Sequence, residues 1–493
     1  MTISFNTIPI TIYCPGSYVE YDASRATQGL QAVPHEALLI GAKLATGSAV
    51  GGVIYTPRSP DEAVALFGAQ SQLAQMVAAY RRKDSLTPLH CIALEDAALG
   101  VQSTGKIMVA GDATEGGSTP LYIGGRRINV AVTKGMTAAE WETAALAACA
   151  LEPDLPVQLA ADAVGTGLGL TAVNAGPDGN NIQLAVCALP GERVPSGFTF
   201  TITPMAAGAS APDYSTVIPL MGDDQYHTVA LGTADPTEIG VIVTEMESRS
   251  DAFRQIEGVA FAAIYGTQAG LSSIGNGYNS NRLVVTGGEQ AATLPTPWEL
   301  AAEIAADAAL QAQIHPARAY TGHTLPGCMA APRGARFTRS ERGTLLSDGI
   351  STVIAASDGR LLIERLVTTY QTNAMGLPDT AFQDLTTLRI LDTLRYTLRA
   401  RMAQKFSNFL LADDGSEVTG QPIATPKIIR GEVISLYIDW ASAGLVERGA
   451  LEQFKAELLV ERDLSDPNRV NVILPPDLMN NFLVGAYSLQ FRR

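Results

Sequence analysis

The residues able to do chemistry are scattered along this chain. The five histidines, His35, His90, His227, His315 and His323, never fall at HxH or HxxxH spacing, so no pair is preset on one strand or helix face to hold a metal. Gly105-Lys106 is followed by Ile107, which rules out a phosphate-cradling loop that ends in Lys and a magnesium-binding hydroxyl. Gly165-Thr166-Gly167-Leu168-Gly169 lacks the GxGxxG spacing of a dinucleotide loop and reads as a turn. No GxSxG elbow occurs. Asp223-Asp224 and Asp413-Asp414 sit among turn residues and read as solvated pairs. Arg389, Arg395, Arg399 and Arg401 form a basic patch interspersed with Asp384 and Asp392, the pattern of a solvated or intersubunit helix face. The expectation is no catalytic residue, no metal and no cofactor. An α/β hydrolase with a non-local site stands as the alternative from another class.

Charge narrows the partners. The chain has 493 residues and a net charge of −15. Residues 1–380 carry a balance of −14 and residues 381–493 one of −1. No basic stripe is present to neutralise phosphates, so direct nucleic-acid binding is not expected. The N-terminal residues lack a basic region ahead of an apolar run, and the Ala-rich stretch Trp141 to Leu151 is much shorter than the ~20 residues that cross a bilayer. Five scattered cysteines, Cys14, Cys91, Cys149, Cys187 and Cys328, without CxxC, read as reduced thiols of a chain folded in the cytosol.

The elements that must position any site read as several domains. Ile8, Ile10, Ile12 and Cys14 alternate with Pro9, Thr11, Tyr13 and Pro15, a strand pattern whose prolines remove ladder donors. With Tyr18 and Val19 it forms a detached arm over residues 1–24. Ala37 to Gly41, a helix opened by Ser59-Pro60-Asp61-Glu62 and carrying Val64, Phe67, Leu73, Met76, Val77 and Tyr80, and Leu89 to Leu94 make a βαβ unit with parallel strands. Residues 105–235 read as a small inserted α+β domain with strands at 107–109, 128–132, 182–188 and 198–203 and a helix from Thr137. Tyr214 and Tyr226 are its one aromatic cluster, a weak candidate for glycan binding. The α/β pattern returns with strands at Val241 to Thr244, Val259 to Ile264 and Leu283 to Val285, then a helix from Pro297 to about Ala312. The core is therefore expected to be discontinuous, residues 25–104 plus 236–375.

Residues 376–479 read as a C-terminal α+β domain. Phe382, Leu385, Leu388, Leu391, Leu394, Leu398, Met402 and Phe406 form one stripe of a long helix. Thr425-Pro426 caps a second helix, Phe454 to Val460 alternates as a strand, and Val470 to Leu474 is another strand. Leu483, Tyr487, Leu489 and Phe491 alternate with small or polar residues in a terminal strand, the second arm, residues 480–493. Exposed strand edges template pairing with other chains.

Several segments resemble one family in order. They are Pro15-Gly16-Ser17-Tyr18-Val19-Glu20, Arg336-Phe337-Thr338-Arg339-Ser340-Glu341-Arg342, Ile363 to Asn373, Leu411-Ala412-Asp413-Asp414-Gly415, Val460-Glu461-Arg462 with Asp466-Pro467-Asn468-Arg469, and Leu474-Pro475-Pro476-Asp477-Leu478. Together they are similar to Mu-like contractile tail sheath proteins of bacteriophages, with the likeness weakest in the 105–235 insert. The resemblance implies a virion tail protein assembled in the host cytoplasm, in stacked six-membered rings around a tail tube. Arms 1–20 and 480–493 would add strands to neighbouring copies, and contraction would drive the tube through the host envelope. It implies an inner domain at about 376–479, an insert on the outside, and Arg389, Arg395, Arg399 and Arg401 facing tube or subunit. Partners would be the chain itself, the tube protein, and baseplate and terminator proteins, with no membrane insertion. A bacteriocin or injection particle derived from a phage would use the same subunit. Gly343 and Gly431 fall inside helical patterns and put those helix boundaries in question.

Overall fold

The computed structural model describes residues 14, 16–19, 33–416 and 421–492. The chain divides into two compact units, one built on Pro34–Asp392 and the other on Thr393–Met479.

In the first unit, strands β1 (Ala37–Ala42), β2 (Ile54–Tyr55) and β3 (Leu89–Leu94) are joined by helices α1 (Pro60–Phe67) and α2 (Gln72–Lys83). β1 and β3 pair in parallel, Ala37 opposite Leu89, as the βαβ pattern predicts. The expected single helix is two. Ser59 and Ser71 each cap a helix by accepting from a backbone N–H two residues inside it. Gly68 and Gln70 between them take φ of 93° and 71°, which no helix continues through.

The chain then leaves for an insert. Its elements are β4 (Gln102–Ala110), β5 (Gly117–Ile123), β6 (Arg126–Val132), α3 (Ala138–Cys149), β7 (Val157–Ala161), β8 (Gly167–Ala175), β9 (Leu184–Val186) and β10 (Thr199–Ala206). They form two antiparallel sheets, ordered β10-β4-β8-β7 and β6-β5-β9. Thr137 and Glu140 make a reciprocal capping box on α3.

After the short helix α4 (Ile218–Met221) the chain rejoins the core through β11 (Thr228–Leu231), which pairs with β1. This lies inside the span expected for the insert, so the return comes earlier than composition suggested. Tyr214, Val217, Met221 and Tyr226 are all buried against the core sheet, which removes Tyr214 and Tyr226 as a glycan-binding pair.

α5 (Pro236–Arg249) occupies Val241 to Thr244, expected as a strand. Asp235 caps it, and Ile239, Ile242, Val243 and Met246 are buried at helical spacing; that stripe outweighs the β-branched run. Next come β12 (Val259–Tyr265), α6 (Gln268–Tyr278), β13 (Leu283–Gly288), α7 (Pro297–Ile314), β14 (Thr324–Met329), α8 (Arg339–Ser347), β15 (Ile350–Ala355) and β16 (Arg360–Arg365). The core sheet has nine strands, ordered β14-β16-β15-β13-β12-β11-β1-β3-β2.

α7 lies buried and carries a carboxylate on each of three successive turns. Glu299 pairs with Arg126 of the insert at 2.6 Å, Glu303 accepts from Gly327 N at 2.9 Å, and Asp307 meets Lys83 at 2.9 Å and His323 at 2.8 Å. Buried carboxylates persist only when paired in this way. The ladder ties α7 to α2, to β14 and to the β5–β6 hairpin.

α9 (Leu385–Phe406) begins in the first unit, where Leu385 and Leu388 join the core, and continues into the second. There the elements are β17 (Leu410–Leu411), β18 (Ile423–Ala424), α10 (Pro426–Ser442), α11 (Leu451–Glu457), β19 (Leu459–Arg462) and β20 (Val470–Ile473). Trp440 is fully buried, and its Nε1 donates to Thr397 Oγ1 at 2.9 Å. Phe454 lies in a helix rather than the expected strand, stacked on Tyr437 with ring centroids 4.2 Å apart. Gly343 and Gly431 sit inside α8 and α10, so neither ends its helix.

Candidate functional site

An α/β sheet with parallel central strands has one place where ligands usually bind, the crevice beyond the carboxyl ends where chain order reverses. Here that point lies between β1 and β11, and side chains fill it. Gln72 Oε1 accepts from Ala42 N at 2.8 Å, and Gln72 Nε2 donates to Gly232 O at 2.7 Å. Asn174 of the insert accepts from Gln72 N at 3.0 Å and donates to Lys43 O at 3.0 Å. Asp178 accepts from Ala234 N at 2.8 Å and Thr233 Oγ1 at 3.2 Å. Burial pushes the Asp178 carboxyl up to about 6. About 20 Å³ is left, room for a water or two.

The opposite, amino-terminal ends of the same strands hold a histidine cluster. His35 and His227 lie with ring centroids 4.8 Å apart, and His227 Nδ1 accepts from Glu36 N at 3.3 Å. Burial, reinforced by the Arg389 charge, lowers His35 to about 3; burial first, then His35 and Arg389, lowers His227 to about 2. His90 meets Glu36 at 3.2 Å. The buried His227 ring and the half-buried His35 ring are both neutral at physiological pH, which suits packing.

The arginine patch of α9 separates into different environments. Arg389 is buried, donating to His227 O at 2.8 Å and Thr228 Oγ1 at 2.9 Å. It anchors the start of β11 and cannot face a tube or a neighbour. Arg401 pairs with Glu432 at 2.8 Å and Asp439 at 2.7 Å across α9 and α10, with little exposure. The charge pattern of one helix could not reveal partners that lie on other elements. Arg395 is partly exposed and Arg399 exposed.

The described parts of the expected arms present apolar side chains to solvent. Ile8, Ile10 and Ile12 lie outside the described residues. Tyr18 and Val19 are exposed, with Tyr18 Oη donating to Cys14 O at 3.0 Å. Residues 480–492 form no strand. Phe482, Val484, Tyr487, Leu489 and Phe491 are each at least 80% exposed and Leu483 is 38% exposed, so the tail joins no sheet among the described residues. Among the described residues β19 and β20 of the second unit pair with each other and with no further strand, Leu459 opposite Ile473 and Arg462 opposite Val470. A two-stranded sheet is marginal alone, and both its edges are open to further strands.

Comparison with known proteins decides the family. The profile of the phage tail sheath protein central domain matches residues 207–369, and that of the phage tail sheath C-terminal domain matches residues 378–490. The Mu-like prophage FluMu tail sheath protein of Haemophilus influenzae is 35% identical over 493 residues, covering 100% of both chains. The chain belongs to the phage tail sheath family. Its fold is similar to that of the anti-feeding prophage sheath in the contracted state, with a TM-score of 0.50, 13% identity, and 98% of this chain and 99% of that one covered. A chain of the anti-feeding prophage baseplate structure gives a TM-score of 0.50 at 11% identity, covering 98% of this chain and 100% of that one. The sheath C-terminal match takes in α9 to α11, the β19–β20 hairpin and most of the exposed tail. Strands β4 to β10 lie outside both matched spans.

Proposed function

We propose that this chain is the structural subunit of a contractile tail sheath. Copies polymerise into stacked six-membered rings around a tail tube, capped by baseplate and terminator proteins, and contraction drives the tube through the host envelope. The full-length likeness to a tail sheath protein carries the reading. The filled crevice at the β1–β11 switch point favours structural work over catalysis, because the place where an α/β enzyme would take substrate holds Gln72, Asn174 and Asp178.

The links between copies are donated strands. Residues 480–493 and 1–20 extend the sheets of neighbouring copies, and the β19–β20 hairpin is the acceptor. Burying Leu483, Tyr487, Leu489 and Phe491 would release about 1.5–3 kcal/mol each. Ordering a dozen residues costs about 1–2 kcal/mol per residue. Apolar burial therefore does not win alone; ladder hydrogen bonds and the multivalency of a lattice make up the difference. The second unit serves as the inner, tube-proximal domain and the insert lies outside.

Contraction without nucleotide hydrolysis draws on a metastable extended lattice whose interfaces repack while the strand links persist. Hydrogen exchange on extended and contracted particles tests this. Amides of residues 480–492 should stay protected in both; protection lost on contraction would refute persistence of the links.

A further inference from the structure

The core carries a socket that no part of its own unit fills. A cavity of about 280 Å³ opens beside the ends of β13 and β15, with an apolar floor of Ala330, Ala331, Val353, Ala355, Leu361 and the Phe337 ring. Its wall is basic. Residues 330–343 hold Arg333, Arg336, Arg339 and Arg342 against one acid, Glu341, and the Glu341 carboxylate is engaged by Thr338 N at 2.7 Å. Arg342 pairs with Glu364 at 2.8 Å, and Glu289 in the socket accepts from Phe337 N at 3.0 Å. Arg336 uses its Nε on Ala331 O at 2.6 Å. Arg333 and Arg339 are exposed. In a chain of charge −15, this is a local site for an acidic, apolar-tipped partner.

The second unit displays such a tip. Leu464, between β19 and β20, is 104% exposed, in a turn held rigid around it. Asp463 accepts from Ser465 N at 2.8 Å, Asp466 N at 3.0 Å and Asn471 Nδ2 at 2.8 Å. Asp466 accepts from Asn468 N at 2.9 Å, and Arg462 Nε donates to Pro467 O at 2.8 Å. The donors around Asp463, that of Asn471 first, lower its carboxyl to about 2. An isolated surface leucine needs no explanation, but one fixed on a preorganised turn, with Asp463 held by Arg469 at 3.8 Å on one side and the Asp466 carboxylate on the other, loses little entropy on docking.

We propose that the Leu464 tip of one copy seats in the Arg336–Phe337–Leu361 socket of a second copy, with Asp466 against the arginine wall. The contact rests on the reading of the chain as a polymer subunit. Knob and socket are different surfaces of the same chain, so the contact is head-to-tail and propagates as a ring or a helical stack rather than closing a dimer.

The test uses the full chain with Cys14→Ser and Cys187→Ser to remove the exposed and the half-buried thiol, carrying Leu464→Cys and Ala355→Cys together. Mild oxidation of assembled protein should give a ladder of dimers, trimers and higher species on a denaturing gel. Asp466→Lys or Arg336→Glu alone should reduce sedimentable polymer at least about tenfold, and the double swap should restore it, since like charges at an interface cost several kcal/mol. A bond confined to single chains, no bond at all, or a ladder only from Tyr487→Cys with Ala355→Cys would overturn the proposal, the last assigning the socket to the tail. Normal cylinders without the Leu464 ladder sink this contact and leave the sheath reading standing. Absence of cylinders from the parent carrying Cys14→Ser and Cys187→Ser counts against both.

Discussion

His227→Asn should flatten the acid sensitivity of the core sheet. In the folded chain His227 and His35 are lowered to about 2 and about 3 by burial and the Arg389 charge, whereas an unfolded histidine titrates near 6.5. The unfolded state therefore takes up protons below about pH 6.5 that the folded state refuses. The stability these residues support is complete above that value and is lost as pH falls toward the folded values. At pH 5 each neutral ring costs about 2 kcal/mol, from roughly 1.4 kcal/mol per pH unit over about 1.5 units, and the pair about 4. Asp178, raised to about 6 by burial, works the other way: its penalty shrinks on acidification, returning about 1 kcal/mol between pH 7 and 5. The wild-type slope mixes these contributions, and the variant isolates one. Asn keeps an acceptor for Glu36 N but does not titrate. Native-state hydrogen exchange by mass spectrometry, on peptides covering Ala37–Ala42 and Thr228–Leu231 and corrected for intrinsic rate, reads the local opening free energy. Between pH 7 and 5 the wild-type value should fall about 2 kcal/mol further than the variant's, roughly thirtyfold in protection. Equal slopes would refute the assignment of neutral buried rings.

Three further outcomes follow from the packing. Gly343→Ala and Gly431→Ala place a Cβ in open space within helices α8 and α10. Each should stabilise by about 0.5–1 kcal/mol in urea titrations of the unassembled subunit. Arg389→Met strips the donors from His227 O and Thr228 Oγ1 and should destabilise by about 1–3 kcal/mol; loss of assembly in a subunit of unchanged stability would instead return Arg389 to an interface. Trp440→Phe removes the Nε1 donor to Thr397 Oγ1, whose hydroxyl keeps its own bond to Thr393 O at 2.8 Å, and should cost about 0.5–1.5 kcal/mol, read as earlier unfolding of peptides from residues 393–479.

Local signals carried the elements whose caps and periodicity agree. The helix from Thr137, the Thr425-Pro426 cap and the parallel β1–β3 pair appear where the sequence puts them, the last with two helices between its strands instead of one. The misreadings share a cause. At Val241 to Thr244, β-branched residues suggested a strand, while the Asp235-Pro236 cap and buried Ile239, Ile242, Val243 and Met246 made a helix. The cap and stripe were present in the sequence and were the signals to weigh. The fate of Arg389 was not legible, because its acceptors are 161 and 162 residues away. Nor was the sealing of the switch-point crevice, which requires Gln72 and Asn174, 102 residues apart, to meet. The strand β20 was legible from Val470 to Leu474, whereas the alternating tail forms no strand among residues 480–492, and only the fold shows that β19 and β20 pair with no other strand among the described residues.

The central claim, a sheath subunit linked by its ends, is tested most directly by electron microscopy of the purified full-length chain beside variants lacking residues 1–20 or 480–493. Striated hollow cylinders from the full chain alone are predicted. Cylinders from the truncated chains would contradict the linking role of the ends, and monodisperse particles from all three would contradict self-assembly itself.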